Sequence, residues 1–329
     1  MDGQELLKRY EAGERDFSRV NLMGANLERV QLPNSNFTNA YLGAVNLSRA
    51  NLKGANLTGA FLFRADLSFA KVRESSLVDT DLTKANLTGA EFTKSILKGA
   101  KLSGAILKHV NLCLANLEGV NLCGANLEGI NFRSANLKNV NFSWANLSRA
   151  RMSGANLRGA ILNGIKFSEA YLNGVDLHGV ELDGVDLSGA KLSGANLSEA
   201  NLSVTNLSEA QIRTAFMSRA NLQSANLAGA NLLRSDLCEV NLAKANLTDA
   251  ILQEADLTGA NLNKANLSEA NLQQASLRNA YLWGANLKTV DLQETNLTGA
   301  NLRGAQWQDI NWKQAILSET TMPDGAIAG

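Results

Sequence analysis

The feature that most constrains this chain is an unbroken five-residue rhythm of leucine. From Arg15 to Asp324 the sequence divides into 62 consecutive five-residue windows with no insertion or deletion. The third place of a window is Leu in 49 cases and another apolar residue in the remaining 13. The first place is Ala in 39 windows, Val or Ile in 14 and Ser or Thr in 8, with Arg15 as the exception. A fold that keeps this register buries one small and one large side chain per window.

Neither an α-helix nor a flat strand can hold this pattern. In a helix five residues advance the chain by about 500°, so successive leucines would wind around the axis. In a flat strand an odd step puts successive leucines on opposite faces. The pattern therefore predicts a turn in each window, with places one and three pointing inward and places four and five at the corner. Place five holds 22 of the 27 glycines and also Asn139 and Asn279, as a positive φ there would favour.

Four corners of about 90° close a coil of 20 residues, which stacks on the next coil at about 4.8 Å. The 62 windows then make about 15 coils, roughly 70 Å long. Departures from the consensus at place one sort by position in such a coil. One face holds Val20, Val120, Val140, Val180 and Val240, the opposite face holds Val30, Val110, Ile130, Val290 and Ile310, and a third holds Ser35, Ser75, Ser95, Ser235 and Thr295. A five-residue period alone does not predict this sorting.

The run AGANLLRSDLCEVNLAKANLTDA, residues 228–250, and dozens like it follow the consensus A-(N/D)-L-x-x. On this motif, over residues 15–324, the chain resembles the pentapeptide-repeat family. The opening ELLKRYEAGERDFS and the closing TMPDGAI also resemble the ends of cyanobacterial members of that family. The resemblance implies an all-β fold, a right-handed quadrilateral β-helix solenoid. It is the resemblance, and not the spacing, that supplies the handedness.

The N-terminal segment is predicted to cap the solenoid. An open solenoid end exposes apolar side chains and unpaired backbone groups, which invites association between edges. Within residues 1–14, Leu6, Leu7 and Tyr10 fall on one face of a short helix that would cover the first coil, and Gly13 would end that helix.

The other end is predicted to be closed as well. Residues 15–324 form the predicted β-helix, and residues 325–329 form a C-terminal tail. Trp307 and Trp312 stand where Leu is expected, either as part of the closure or as large core residues near the end. Pro323 cannot donate to a further ladder, which favours a stop there.

No grouping of residues in the sequence suggests catalysis, a cofactor or a metal. His109 and His178 occupy different corner places more than three coils apart, so they cannot share a metal ion or a proton relay. The glycines follow the corner spacing and not that of a phosphate-binding loop. The Asn and Asp side chains at place two are expected to bond to the backbone of their own turns. We therefore predict that the chain is not an enzyme and needs no cofactor.

Cysteine usage and hydropathy predict a cytoplasmic protein. Cys113, Cys123 and Cys238 are an odd number at unrelated spacings, which indicates free thiols and a reducing compartment. The charged N-terminus has no apolar signal region, and no stretch approaches the roughly 18 apolar residues of a membrane span.

Charge is balanced in total and uneven along the chain. The formal net charge is zero, so we expect no direct nucleic-acid binding and no membrane binding. Residues 84–166 carry 11 Lys or Arg against 3 Asp or Glu, whereas residues 167–324 carry 10 against 18. One column at place five follows this change, running through Arg29, Arg49, Arg149, Glu169, Glu209, Asp249, Glu269 and Asp309.

Exposed aromatic residues complete the candidate interaction surface. Tyr41, Phe61 and Phe63 are predicted to cluster on one outer face, where Tyr281 and Trp283 recur further along. Aromatic anchors are typical of protein interfaces. Together with Glu169, Glu209, Asp249 and Glu269, these aromatics are the residues predicted to contact a partner.

Three functions are compatible with such a chain. The first is a non-enzymatic structural or protein-interaction module with a regulatory role, whose partners and oligomeric state the sequence does not identify. The second, implied by the family resemblance, is a DNA mimic that binds DNA gyrase, although only residues 167–324 are acidic and they still contain ten basic residues. The third and most remote is a carbohydrate-active solenoid, which needs carboxylates beside aromatics in a groove.

Overall fold

The computed structural model describes residues 1–329 and is built almost entirely from turns and single-residue β-bridges. Its helical elements are α1, Gly3–Glu11, and one 3₁₀ turn, Trp312–Gln314. The chain forms two compact units, Met1–Ile165 and Lys166–Gly329, called here the first and the second unit. No helix reaches the length and apolar character needed to cross a membrane.

Within each unit, place two of a window forms a parallel bridge with the residue 20 positions later. Tyr41 pairs with Phe61 in the first unit, and Asn241 pairs with Asn261 in the second. A turn occupies places four and five of nearly every window, so each 20-residue repeat makes four turns. The predicted β-helix solenoid with 20-residue coils is therefore present in both units.

The corner at place five is a left-handed backbone position in 60 of the 62 windows, with glycine or with other residues; the exceptions are Gln314 and Asp324. The 22 place-five glycines have positive φ, and so do 38 other residues, including Trp144 (φ 61°) and Val204 (φ 58°). Ordinary residues pay about 1–2 kcal/mol for this conformation. The cost is offset by coil-to-coil hydrogen bonds that the conformation permits, such as Arg49 N–H to the Ser68 carbonyl (2.8 Å). The glycine pattern predicted the corners correctly but not that most of them lack glycine.

The interior is filled by places one and three, as predicted. Leucines at place three are almost all buried, and so are most of the Ala residues at place one. Phenylalanine is accommodated as well: Phe132 and Phe142, ten residues apart in the repeat, meet edge to face with ring centroids 6.0 Å apart. Phe17 and Phe37 stack at 5.6 Å.

Coil stacking also satisfies the buried hydroxyl groups. All eight Ser and Thr residues at place one are buried. Seven of them donate to the backbone carbonyl 23 residues earlier, as Thr205 does to Leu182 (3.0 Å). The exception is Ser35, whose Oγ is buried without a partner. The residue 23 positions before it is Ala12, which lies in the N-terminal cap and not in a coil.

This difference predicts opposite responses at two equivalent positions. We expect Ser75→Ala to lower the free energy of unfolding by about 1 kcal/mol, because its hydroxyl donates to Leu52 O (2.9 Å). Ser35→Ala should be neutral or raise it by up to about 1 kcal/mol, because it removes a buried, unpaired hydroxyl. Urea denaturation of both variants measures the change in the free energy of unfolding. An equal loss of stability in the two variants would contradict this prediction.

Helix α1 is the predicted short N-terminal helix, and it packs against Leu27 and Pro33 of the first coil. Asp2 begins it by accepting from Glu5 N–H (2.9 Å). At its end Gly13 (φ 98°) donates to Tyr10 O and Glu14 N–H donates to Arg9 O, the paired bonds of a Schellman motif.

The contacts of α1 with the coil are made by one face of the helix. Leu6 is fully buried, while Leu7 and Tyr10 are half-buried. The Tyr10 hydroxyl donates to the Pro33 carbonyl (3.1 Å). A Cβ on Gly3 would lie 3.1 Å from Leu27 Cδ2, so the helix approaches the coil closely there.

Near the C-terminal end the structure departs from the prediction of a turn in every window. Trp312–Gln314 form the 3₁₀ turn, and Asn311 makes no bridge with Asp291. Trp307 is 52% exposed and packs edge to face on Trp312, with centroids 5.9 Å apart. The alternative that both are core residues is therefore wrong. An indole ring is too large for an interior whose width is set by Ala and Leu side chains. The windows that contain Trp307 and Trp312 therefore lack the regular turn.

The last residues fold back on the final windows. Ile327 forms an antiparallel bridge with Thr321, whereas all other bridges are parallel. Met322 N–H donates to Ala326 O (2.7 Å), and Ala328 N–H donates to Thr320 O (2.9 Å). Residues 325–329 thereby occupy backbone groups that a further coil would otherwise pair.

Candidate functional site

Of the predicted aromatic residues of the first unit, Tyr41 and Phe61 lie in one continuous ladder, and Phe63 is at place four of the Phe61 window. We call the surface formed by the windows that begin at residues 20, 40, 60, 80, 100, 120, 140 and 160 the Tyr41 face. Its place-two residues bridge in series from one coil to the next: Asn21, Tyr41, Phe61, Asp81, Lys101, Asn121, Asn141 and Ile161. The ladder fixes their spacing at about 4.8 Å per coil.

Tyr41, Phe61 and Phe63, which we call the aromatic patch, are brought together as predicted. Tyr41 is 53% exposed and bridges Phe61, and Phe61 stacks on Phe63 with centroids 6.0 Å apart and planes 17° apart. Gly43 makes room for this arrangement. A Cβ there would lie 2.9 Å from Phe61 Cε1 and 3.3 Å from Met23 Cε. The absent side chain therefore lets the ring and the thioether lie against the backbone.

The patch continues toward the N-terminal cap. Met23 is 57% exposed and Met1 is 41% exposed. Both line an open recess of about 510 Å³ between the start of α1 and the first coil, whose other walls include the polar residues Asp2, Asn21 and Asn26. Apolar surface thus extends over three coils of the Tyr41 face.

Three cations follow the aromatic patch on the same face. Arg64 lies over the Phe63 ring, with Cζ 5.3 Å from the centroid. Lys84 and Lys101 occupy the next two coils and are exposed. None of the three forms an ion pair. Other cations of this unit do, as in Lys53 with Glu74 (3.7 Å) and Lys98 with Glu118 (3.6 Å).

In the second unit Tyr281 lies in the ladder that runs from Glu181 to Thr321, and Trp283 is at place four of the same window. They are 55% and 50% exposed. Lys264 Nζ lies 4.7 Å from the Trp283 ring centroid, and Trp283 N–H donates to the Asn263 side chain (2.9 Å). This pair therefore also combines an aromatic surface with a cation.

The acidic candidates of the second unit share one corner column but not one pocket. Glu169, Glu209, Asp249 and Glu269 all have positive φ at place five. Gly189 and Gly229 alternate with the first three of them, and a Cβ on Gly229 would lie 2.4 Å from Glu209 Oε1. The Glu209 side chain consequently lies along the column over the glycine and does not converge on its neighbours.

Sequence reasoning missed several exposed residues of the first unit. Trp144 is 72% exposed on the Tyr41 face, with its ring over Gly164. Met23 and the cations Arg64 and Lys84 also join this face. Their position in the repeat was the available signal, because all four occupy places four or five of windows on the Tyr41 face. Sorting the residues at these corner places by face would have identified them.

The place-two side chains are occupied within the fold. Asn46 Oδ1 accepts from Ser48 N–H (3.0 Å), closing its own turn as predicted. Its Nδ2 donates to Asn26 Oδ1 in the preceding coil (3.0 Å), and the same contact recurs along the ladders. These groups hold coils together and are not free to bind a ligand.

The structure brings together no group of three or more His, Cys, Asp or Glu side chains that could hold a metal ion. His178 is exposed and lies 4.0 Å from Glu199. The three cysteines are free, as predicted. One of them has a distinct environment: burial, together with hydrogen bonds to Asp256 and Asp236, raises the pKa of the Cys238 thiol to about 12.

The Cys238 environment predicts selective thiol chemistry. At pH 8 a thiol with that pKa is about 0.01% thiolate, the reactive form. We therefore expect the exposed Cys123 to react readily with a disulfide reagent and Cys238 to react at least about a hundredfold more slowly. Single-cysteine variants made with Cys→Ser substitutions allow each rate to be followed separately. Asp256→Asn should speed the Cys238 reaction, and comparable rates for the two unaltered sites would contradict the assignment.

Comparison with protein families agrees with the fold. The description "pentapeptide repeats" matches overlapping stretches from residue 16 to 219 and again at 295–324. A second description, "pentapeptide repeat region", matches residues 230–302. The chain belongs to the pentapeptide-repeat family. No curated protein matches it.

Several solved pentapeptide-repeat structures are similar to the chain. QnrB1, a plasmid-mediated fluoroquinolone resistance protein, is 18% identical, with 64% of this chain and 89% of that chain covered and a TM-score of 0.41. HetL from the cyanobacterium Nostoc sp. strain PCC 7120, involved in heterocyst differentiation regulation, is 28% identical over the whole of both chains, with a TM-score of 0.17. Rfr23 from the cyanobacterium Cyanothece 51142 is 26% identical, covering 50% and 95%, with a TM-score of 0.27. With TM-scores this low, family membership rests on the repeat matches.

Proposed function

We propose that this pentapeptide-repeat protein is a non-enzymatic interaction module that docks a protein partner on the aromatic patch of the Tyr41 face. The observation that carries the proposal is the ordered cluster of Tyr41, which is exposed, with the half-buried Phe61 and Phe63, continuous with Met23. Rigid aromatics supply large contact area at low entropic cost, and they dominate the energetics of many interfaces. The regular ladder beneath them holds the patch in one geometry.

Affinity capture from native cells with quantitative mass spectrometry tests this proposal. The triple variant Tyr41→Ser, Phe61→Ser, Phe63→Ser should lose the specific partner, because its apolar anchors are removed while the core leucines remain. The matched control is Phe69→Ser, since Phe69 is 54% exposed on a different face of the same unit. If the triple variant retains every partner that the unaltered protein captures, the proposal is wrong.

We also propose the cross-section, the number of coils and the handedness of the solenoid. Four turns per 20-residue coil support a four-sided cross-section, the 62 windows of the sequence support about 15 coils, and the family resemblance implies a right-handed coil. Free thiols fit the cytoplasmic location proposed from the sequence.

The gyrase-binding alternative has weaker support. DNA mimicry needs a continuously acidic surface, and in the second unit the basic residues Lys244, Lys264 and Arg303 lie along the ladder of Tyr281. A DNA supercoiling assay with micromolar protein tests gyrase binding directly. Inhibition or protection of gyrase would support this alternative.

A further inference from the structure

Resting on the proposed function, we infer that the partner segment of the Tyr41 face is acidic: apolar anchors seated on the aromatic patch, followed by carboxylates that pair with Arg64, Lys84 and Lys101. The aromatic patch forms the apolar half of this surface and accounts for the apolar anchors of the partner. The cations beside it carry the inference about charge.

The three cations form no ion pair within the protein and lie on the same face as the aromatic patch. In the same unit Lys53, Lys98 and Arg149 each lie within 4.0 Å of a carboxylate, and Arg73 pairs with Glu91. Arg64, Lys84 and Lys101 have no such partner in the protein. The single carboxylate on this part of the face, Asp81, accepts from Thr83 N–H (2.9 Å) within its own turn.

The order and spacing of the residues along the ladder define the length and direction of the partner segment. Tyr41 and Lys101 are three coils apart, a distance of about 14 Å. That length corresponds to about nine residues of an α-helix or about four of an extended strand. A short segment with apolar residues at one end and Asp or Glu at the other can therefore contact both halves of the surface. Complementary charge would fix its direction.

A single-stranded nucleic acid, whose chemistry also combines stacking with positive charge, fits the surface less well. Phe61 and Phe63 stack on each other and Arg64 lies over Phe63, so ring faces that bases would need are already in use. The structure favours a protein segment.

Selection from a displayed library of random 12-residue peptides tests the charge of the partner without assuming its identity. Peptides selected on the unaltered protein should combine apolar residues with an excess of Asp and Glu. The triple reversal Arg64→Glu, Lys84→Glu, Lys101→Glu should abolish that excess and weaken the best acidic peptide more than about tenfold in fluorescence anisotropy. Raising the salt concentration should weaken binding to the unaltered protein only.

The matched control is the triple reversal Lys94→Glu, Arg133→Glu, Arg151→Glu, which makes the same charge change on another face of the same unit. It should leave peptide selection and affinity unchanged. Thermal unfolding of both triples separates a loss of binding from a loss of folding, because a general charge effect on folding would appear in both.

The outcomes distinguish this inference from the proposed function. Selected peptides that are neutral or basic, yet lose binding to the Tyr41→Ser, Phe61→Ser, Phe63→Ser variant, would overturn the acidic partner and leave the docking patch standing. Peptides that bind this variant unchanged would overturn both. A labelled 15-nucleotide oligothymidylate is the third probe. If it binds the unaltered protein and the Arg64→Glu, Lys84→Glu, Lys101→Glu triple abolishes that binding, the ligand of this face is a nucleic acid and the acidic protein segment is wrong.

Discussion

Replacing Leu6 by Asp is expected to uncap the first coil and to lower the free energy of unfolding by at least about 4 kcal/mol. Leu6 is fully buried on the face of α1 that also places Gly3 against Leu27 and Tyr10 against Pro33. Loss of a buried leucine alone costs about 3–5 kcal/mol, and a carboxylate in its place adds the cost of burying a charge. Because α1 covers one end of the solenoid, the damage should be seen as exposure of that end.

Thermal and urea denaturation measure the loss of stability, and size-exclusion chromatography measures its consequence. An uncovered coil presents unpaired backbone groups and apolar side chains, so the Leu6→Asp protein should self-associate at concentrations where the unaltered protein does not. Leu7→Asp is the matched control, since Leu7 is next in sequence but only half-buried. Similar destabilisation by the two substitutions would show that α1 does not act as a cap.

Replacing Phe142 by Ala is expected to cost about 3–5 kcal/mol, whereas Phe142→Leu should cost less than about 1.5 kcal/mol. Phe142 is fully buried and meets the edge of Phe132 across the interior, with centroids 6.0 Å apart. Alanine removes both the burial and the aromatic contact and leaves a cavity. Leucine restores the side chain that most windows carry at this place.

Urea denaturation of the two Phe142 variants provides the measurement, and the gap between them is the critical quantity. A double substitution with Phe132→Leu separates the aromatic contact from burial, because the edge-to-face term should amount to about 0.5–1.5 kcal/mol. Equal stability of the Ala and Leu variants would show that the interior collapses around this site and that packing there is loose.

The first unit has one weak point in its ladder that the repeat does not reveal. Ile106 makes no bridge with Asn126, and a recess of about 200 Å³ lies between Leu102–Ala105 and Asn121–Asn126. The windows on both sides fit the consensus at places one and three. Sequence periodicity could not predict this opening, since it depends on how two particular coils pack and not on either alone.

The repeat itself accounts for most of what was predicted correctly. Leucine at every fifth residue, with Asn or Asp before it, requires a turn in each window and buries places one and three, because no other backbone geometry brings those side chains to one interior. The N-terminal helix was predictable too, since Leu6 and Tyr10 share a face and Gly13 follows. The free cysteines followed from their odd number and spacing.

The surface was only partly predictable. Tyr41, Phe61 and Phe63 could be placed together because a 20-residue coil relates two of them directly. Gly43 could not be recognised as the residue that seats Phe61, because most glycines in this chain serve corners. Nor could the unpaired state of Arg64, Lys84 and Lys101 be read from residue order, since ion pairs form between coils.

By itself, therefore, the sequence determined the solenoid, its 20-residue register and the inward places, because periodicity specifies which side chains must leave water. Only the tertiary structure decided which corners adopt a left-handed backbone without glycine, why Ser35 lacks a partner, how Trp307 and Trp312 end the regular windows, and where apolar surface and unpaired charge coincide. Those features arise from contacts between residues about 20 positions apart, whose distances and orientations are set by the stacking of whole coils.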